Sequence, residues 1–136
     1  MFGSIRTKIL EVIEDQADKV KVAYRTDRSQ FDGYPAVIVT PSDSEADYNQ
    51  TAPESQREVY VFNVRAHYPF TEGQDKADIA LEGVVDQLLE IFRNRTVLEN
   101  VADWVVPVPS VWGYQTRGEG TFRIAEIKLR VVKYTQ

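Results

Sequence analysis

The chain holds a single histidine, His67, in 136 residues, and no cysteine. Those two counts limit the chemistry open to it. One imidazole excludes metal sites built on several histidines, and the lack of thiols excludes cysteine-ligated zinc, thiol catalysis and a disulfide framework. A Ser-His-Asp arrangement needs a presented serine, and no GxSxG turn exists to present one. His67 precedes Tyr68-Pro69 at the end of a strand-like run, a structural or surface position. The densest set of oxygen ligands is Asp43, Glu45, Asp47, Asn49, Thr51 and Glu54, at positions 1, 3, 5, 7, 9 and 12 of a loop counted from Asp43. That is a partial EF-hand spacing, but Tyr48 stands where the sharp turn calls for glycine, and Ala52-Pro53 precede the last ligand. With strand-like flanks instead of helices, the stretch reads as a solvated acidic loop.

Two further sets suggest contact, not catalysis. "GYQTRGEG", residues 113–120, fits neither a phosphate-binding P-loop nor a dinucleotide fingerprint, since a strand and not a helix follows it. It reads as a hairpin tip that offers Tyr114, Arg117 and Glu119 for contact. Trp104 and Trp112 bracket a proline-containing strand, as core residues or as interface anchors. No convergent catalytic set and no cofactor site emerges, so the expectation is a protein that is not an enzyme.

The elements that would position these residues follow from periodicity. Ile5, Ile9, Val12 and Ile13 recur at helical spacing within residues 3–19, with Ser4 as an N-cap. "VKVAYRT" (20–26) reads as a short strand and "AVIVT" (36–40) as a buried one, with a turn through Asp32-Gly33 and Pro35 between them. The loop at 41–56 carries four acidic residues and no Lys or Arg. From Arg57 to Tyr68 the chain alternates: Tyr60, Phe62, Val64, Ala66 and Tyr68 on one face, Val59, Val61, Asn63, Arg65 and His67 on the other. A second helix, roughly 74–94, is opened by Thr71 or Glu72 and buries Ala77, Ala80, Leu81, Val84, Leu88, Ile91 and Phe92. "ADWVVPVPSVW" is a strand confined by Pro107 and Pro109 to an edge or a bulge. The last strand, 121–134, turns Ala125, Ile127, Leu129 and Val131 one way and Glu126, Lys128 and Arg130 the other. The predicted fold is α+β: one domain over 1–136, a mostly antiparallel sheet with two helices on one face, in the order α-β-β-β-α-β-β.

A net charge of −5 runs against a DNA-gripping surface, which is normally basic. No segment has the ~20 apolar residues of a bilayer span, and the N-terminus lacks the apolar core and cleavage site of a signal peptide. The absence of cysteine fits a reducing cytoplasm.

In its layout the chain resembles the tail terminator (tail completion) proteins of long-tailed bacteriophages. The resemblance rests on the short N-terminal helix, "GYPAVIVTPSDSEADYN" as strand then arm, "REVYVFNVRAHYP" as a long strand, a second helix, and "AEIKLRVVKY" closing the chain. It implies a virion protein, assembled in the host cytoplasm, that forms a homo-oligomeric, hexameric ring at the head-proximal end of the tail. Its partners would be the tail tube protein and the neck or head–tail connector, with DNA only passing through the lumen and no membrane involved. It also implies that Asp43, Glu45, Asp47, Tyr48 and Glu54 reach a neighbouring subunit or the tube. The strand from Arg57 would then pair partly outside its own domain, and Trp112, Tyr114, Arg117 and Glu119 would add contacts. Another neck protein, or a homo-oligomeric binding module unrelated to phage, shares the same size and style.

Overall fold

The computed structural model describes residues 2–28, 30–42, 51–52, 57–117 and 120–134. Helix α1 spans Phe2–Gln16, and strands β1 (Val22–Tyr24), β2 (Ala36–Pro41), β3 (Thr51–Ala52) and β4 (Arg57–Pro69) follow. A short 3-10 turn, Phe70–Glu72, leads into α2 (Gln74–Arg93), and β5 (Trp104–Arg117) and β6 (Gly120–Tyr134) complete the chain. The α+β prediction holds. The one added element is β3, a two-residue strand inside the segment read as loop, paired through Thr51↔Glu58 and Ala52↔Arg57.

The sheet runs β1-β2-β4-β6-β5, with β3 pairing β4 off this path. Only β1 and β2 are parallel; every other pair is antiparallel. Central β4 pairs β6 along its whole length, and on its other side it pairs β2 from Phe62 to His67 and β3 at Arg57 and Glu58. Within this chain β4 therefore has strand partners on both sides, and among the described residues β2 and β3 leave only Val59 to Val61, Tyr68 and Pro69 without a strand partner on their side. At its His67 end the second face of β4 is covered locally: Phe31, Ala36, Ile38 and Phe122 form a small separate core beneath the sheet, and the Phe31 ring lies 5.0 Å from that of His67.

Both helices lie on the opposite face. Ile5, Ile9 and Ile13 of α1 and Leu81, Val84, Leu88 and Phe92 of α2 pack on Val37, Val39, Phe62, Val64, Ile127, Leu129 and Val131. On β4 and β6 the helix-side positions follow the alternation read from the sequence, while Val59, Val61, His67 and Glu126 on the other face are buried as well, so that face is itself partly covered. Helix boundaries differ more. α1 begins at Phe2, so Ser4 lies inside its first turn, and α2 begins after Gly73, whose φ of 103° breaks the chain between Thr71-Glu72 and the helix.

At the start of β4 the Tyr60 hydroxyl donates to the Glu58 carboxylate in a part-buried site. Burial, then the hydrogen bond and the charge of Glu58, push the phenol up to about 12. The bonded, protonated form therefore stabilises the fold fully below the ordinary tyrosine range near pH 10. That contribution disappears as pH rises through about 12. Ultraviolet titration should show a phenol still protonated above pH 11 that is missing from Tyr60→Phe; identical curves would place Tyr60 in solvent.

Candidate assembly surface

Strand β5 is the sheet's terminal strand, and its sequence explains why it stays terminal. Val105 turns its N–H away from β6 and donates to the Arg95 carbonyl, and Pro107 and Pro109 share its parity. The prolines thus occupy positions whose N–H would face outward, where the missing donor costs no ladder bond and leaves the edge poor in donors. The register then shifts: Pro109 pairs Ile127 and Trp112 pairs Ala125, so one extra β5 residue is accommodated between them. An inserted residue reverses parity. Trp104, Val106 and Val108 therefore lie on the face away from the helices, level with Val132, Arg130 and Lys128, while Trp112 and Tyr114 emerge on the helix face.

Among the described residues, eight large hydrophobic side chains are exposed, and six of them are on β5: Trp104, Val106, Val108, Val111, Trp112 and Tyr114. A seventh, Tyr134, packs edge-on to Trp104 with ring centroids 6.1 Å apart. The Arg95 guanidinium lies 5.4 Å from the Trp104 ring. At the other end, Arg123 lies 5.1 Å from the Trp112 ring and 4.6 Å from the Tyr114 ring, while its Nε donates to Asp78 of α2 at 2.7 Å. Phe70 packs edge-on to Tyr114. Both aromatic clusters are held rigidly by cations from neighbouring elements, so their contact area is preorganised. Exposed apolar side chains gathered along one strand in this way, on both of its faces, mark candidate protein interaction sites.

The predicted contact residues divide. Asp43, Glu45, Asp47, Tyr48, Glu54 and Glu119 lie outside the described residues. Arg57 sits in the backbone register between Ala52 and Tyr134. Trp112 and Tyr114 are exposed and adjacent, on one cation. Arg117 is corrected: residues 113–117 belong to β5, so the tip is shorter than read, and the Arg117 side chain is 10% exposed. It donates to Asp27 at 2.9 Å and to Gln115 at 3.2 Å, with its guanidinium 4.7 Å from the Phe31 ring. Sequence reading passed over Val106, Val108, Tyr134, Arg95 and Arg123. The alternation of Trp104, Val106 and Val108 against the prolines was the available signal for the first two.

Arg117 instead walls a polar cavity of about 200 Å³ with His67, Arg65, Glu126, Asn63 and Thr40. Arg65 pairs Glu126 at 3.0 Å, so the two arginines each answer a carboxylate. His67 is 1% exposed. Its Nδ1 lies 3.4 Å from the Ala36 carbonyl and its Nε2 3.2 Å from Gln115 Oε1. Both partners accept, so the neutral ring donates through one nitrogen only. Burial, outweighing the Ala36 and Gln115 bonds and helped by the charges of Arg117 and Arg65, lowers its pKa to about 4. Its nitrogens thus meet an amide and a carbonyl, with no hydroxyl to activate and no carboxylate to orient the ring. Among the described residues no group of three or more metal-binding side chains occurs, and no helix is long and apolar enough to cross a membrane.

Compared with protein-family models and with curated proteins, the sequence matches none.

Proposed function

We propose that this chain is a structural subunit that assembles with copies of itself into a ring, in the manner of the tail terminator proteins it resembles. The ring would close the head-proximal end of a phage tail tube and present a docking surface to the neck. One observation carries the reading: among the described residues, six of the eight exposed large hydrophobic side chains lie along a single proline-blunted edge strand. A monomer gains nothing from that arrangement, and an edge poor in ladder donors directs association through side chains instead of open-ended sheet extension. The formal charge of −5 per chain suits a conduit, because six copies carry about −30 and an acidic wall repels phosphate.

Negative-stain microscopy and mass photometry of the purified protein, alone and with tube protein, test the reading. Closed rings, or rings capping finite tubes, are expected. Removing residues 43–54 should leave a folded domain that no longer caps tubes. A compact monomer that ignores tubes at every concentration would sink the proposal.

A further inference from the structure

On the sheet face away from the helices, β5 exposes an apolar row of Trp104, Val106 and Val108. Cations accompany that row. Lys128 stands level with Val108 and Arg130 with Val106, while the Arg95 guanidinium lies 5.4 Å from the Trp104 ring. Residues directly opposite one another on paired strands share a face, so the row and its cations form one surface. Lys128 and Arg130 are two residues apart on a strand, about 7 Å. Arg95 continues the series at the level of Trp104.

The helix layer carries the complement. Six of the eight exposed large hydrophobics are on β5 and Tyr134 packs beside them; the remaining one, Ile79 of α2, is the most exposed of all at 68%. Glu82, Asp86 and Glu90 follow it along the same helix, and all three are exposed. At 3.6 residues per turn these four fall in one line, on the side of α2 opposite its buried Leu81, Val84 and Leu88. Lys19 flanks the line at Gly83. Successive carboxylates are four residues apart on the helix, about 6 Å. An isoleucine and three evenly spaced carboxylates therefore match an apolar row and three evenly spaced cations.

The two surfaces lie on opposite sides of the fold, so no chain can join its own line to its own row. A second copy can. We infer that the Ile79–Glu90 line of one copy seats on the Trp104–Val108 face of the next. In either direction along the row, Asp86 is the middle carboxylate and Arg130 the middle cation, so these two oppose each other. The apolar side chains supply contact area, and the charges fix register and orientation. Such a contact is heterologous, and repeated by a closing rotation it generates a ring. The inference rests on the ring reading and assigns the two surfaces that meet within it.

Charge reversal on one surface, on the other, and on both together supplies the test, with mass photometry as the readout. Arg95→Glu/Lys128→Glu/Arg130→Glu should weaken assembly on the order of 100-fold, since opposed like charges at an interface are strongly disfavoured. Glu82→Lys/Asp86→Lys/Glu90→Lys should do the same. A chain carrying all six substitutions should assemble to within about tenfold of wild type, because each contact again joins opposite charges. Circular dichroism establishes that each variant is folded. Should a triple variant not fold, Arg130→Glu, Asp86→Lys and their combination repeat the test with the middle pair alone. Wild-type rings that a one-sided variant matches would overturn the contact while leaving the ring reading intact. A folded six-fold variant that stays as weak as its parents would overturn it as well. Variants that form rings but no longer cap tubes would assign these surfaces to the tube protein, again overturning the contact. A wild-type protein that never forms rings would sink the ring reading itself, and this inference with it.

Discussion

Arg117→Glu lowers the free energy of unfolding by about 3 kcal/mol, the range expected when a buried charge loses its partners. The side chain is 10% exposed and serves three neighbours at once: Asp27, Gln115 and the face of Phe31. Asp27 itself is 69% exposed, so the ion pair alone contributes little; the larger cost is a carboxylate forced among Asp27, Gln115 and an aromatic face. Arg130→Glu, on an exposed residue of β6, is the control and should change stability by under about 0.5 kcal/mol. Urea denaturation of both variants decides the matter. If Arg117→Glu is as mild as the control, the guanidinium is not packed as described. The same substitution removes a cation beside His67 and adds an anion, so the imidazole pKa should rise, a change visible by NMR.

The second large effect is a loss of stability on mild acidification that runs through His67. The folded pKa is lowered to about 4 from the ordinary 6.5, so above pH 7 neither state is protonated and the group contributes nothing. As pH falls below the unfolded value, the unfolded chain takes up a proton that the buried ring refuses. Stability therefore declines from about pH 6.5 and stops declining near pH 4. Between pH 7 and pH 5 the loss is about 2 kcal/mol, at 1.36 kcal/mol per unit of difference between the states. His67 is the only histidine, so it is the one side chain whose ordinary pKa falls inside this window. The readout is the difference in unfolding free energy at pH 7 and pH 5, compared between wild type and His67→Gln. The variant should flatten the dependence, and an unchanged slope would refute the assignment. The charged groups that line the cavity with the ring are Arg117, Arg65, Asp27 and Glu126.

What the sequence determined by itself is everything governed by local period and stereochemistry. Period two in β4 and β6 named the faces of both central strands, because one residue's slip would send Phe62 and Leu129 to the wrong side. Period 3.6 named the buried stripe of α2, and Pro107 and Pro109 named an edge strand or a bulge, of which the fold has both. What only the tertiary structure decided is which polar residues are inside. Arg117 reads as a loop-tip charge between glycines, and His67 as the worn end of a strand. Both are buried because the 25–35 segment folds beneath the sheet and delivers Phe31 and Asp27 to them. That contact joins residues ninety positions apart, Asp27 and Arg117, and no local pattern encodes it. The bulge between Pro109 and Trp112 acts likewise: proline announced an irregularity, but which face Trp112 and Tyr114 occupy depends on the register of β5 against β6. The pairing register, set by the summed packing of the whole sheet, therefore decides where this chain exposes its aromatic residues.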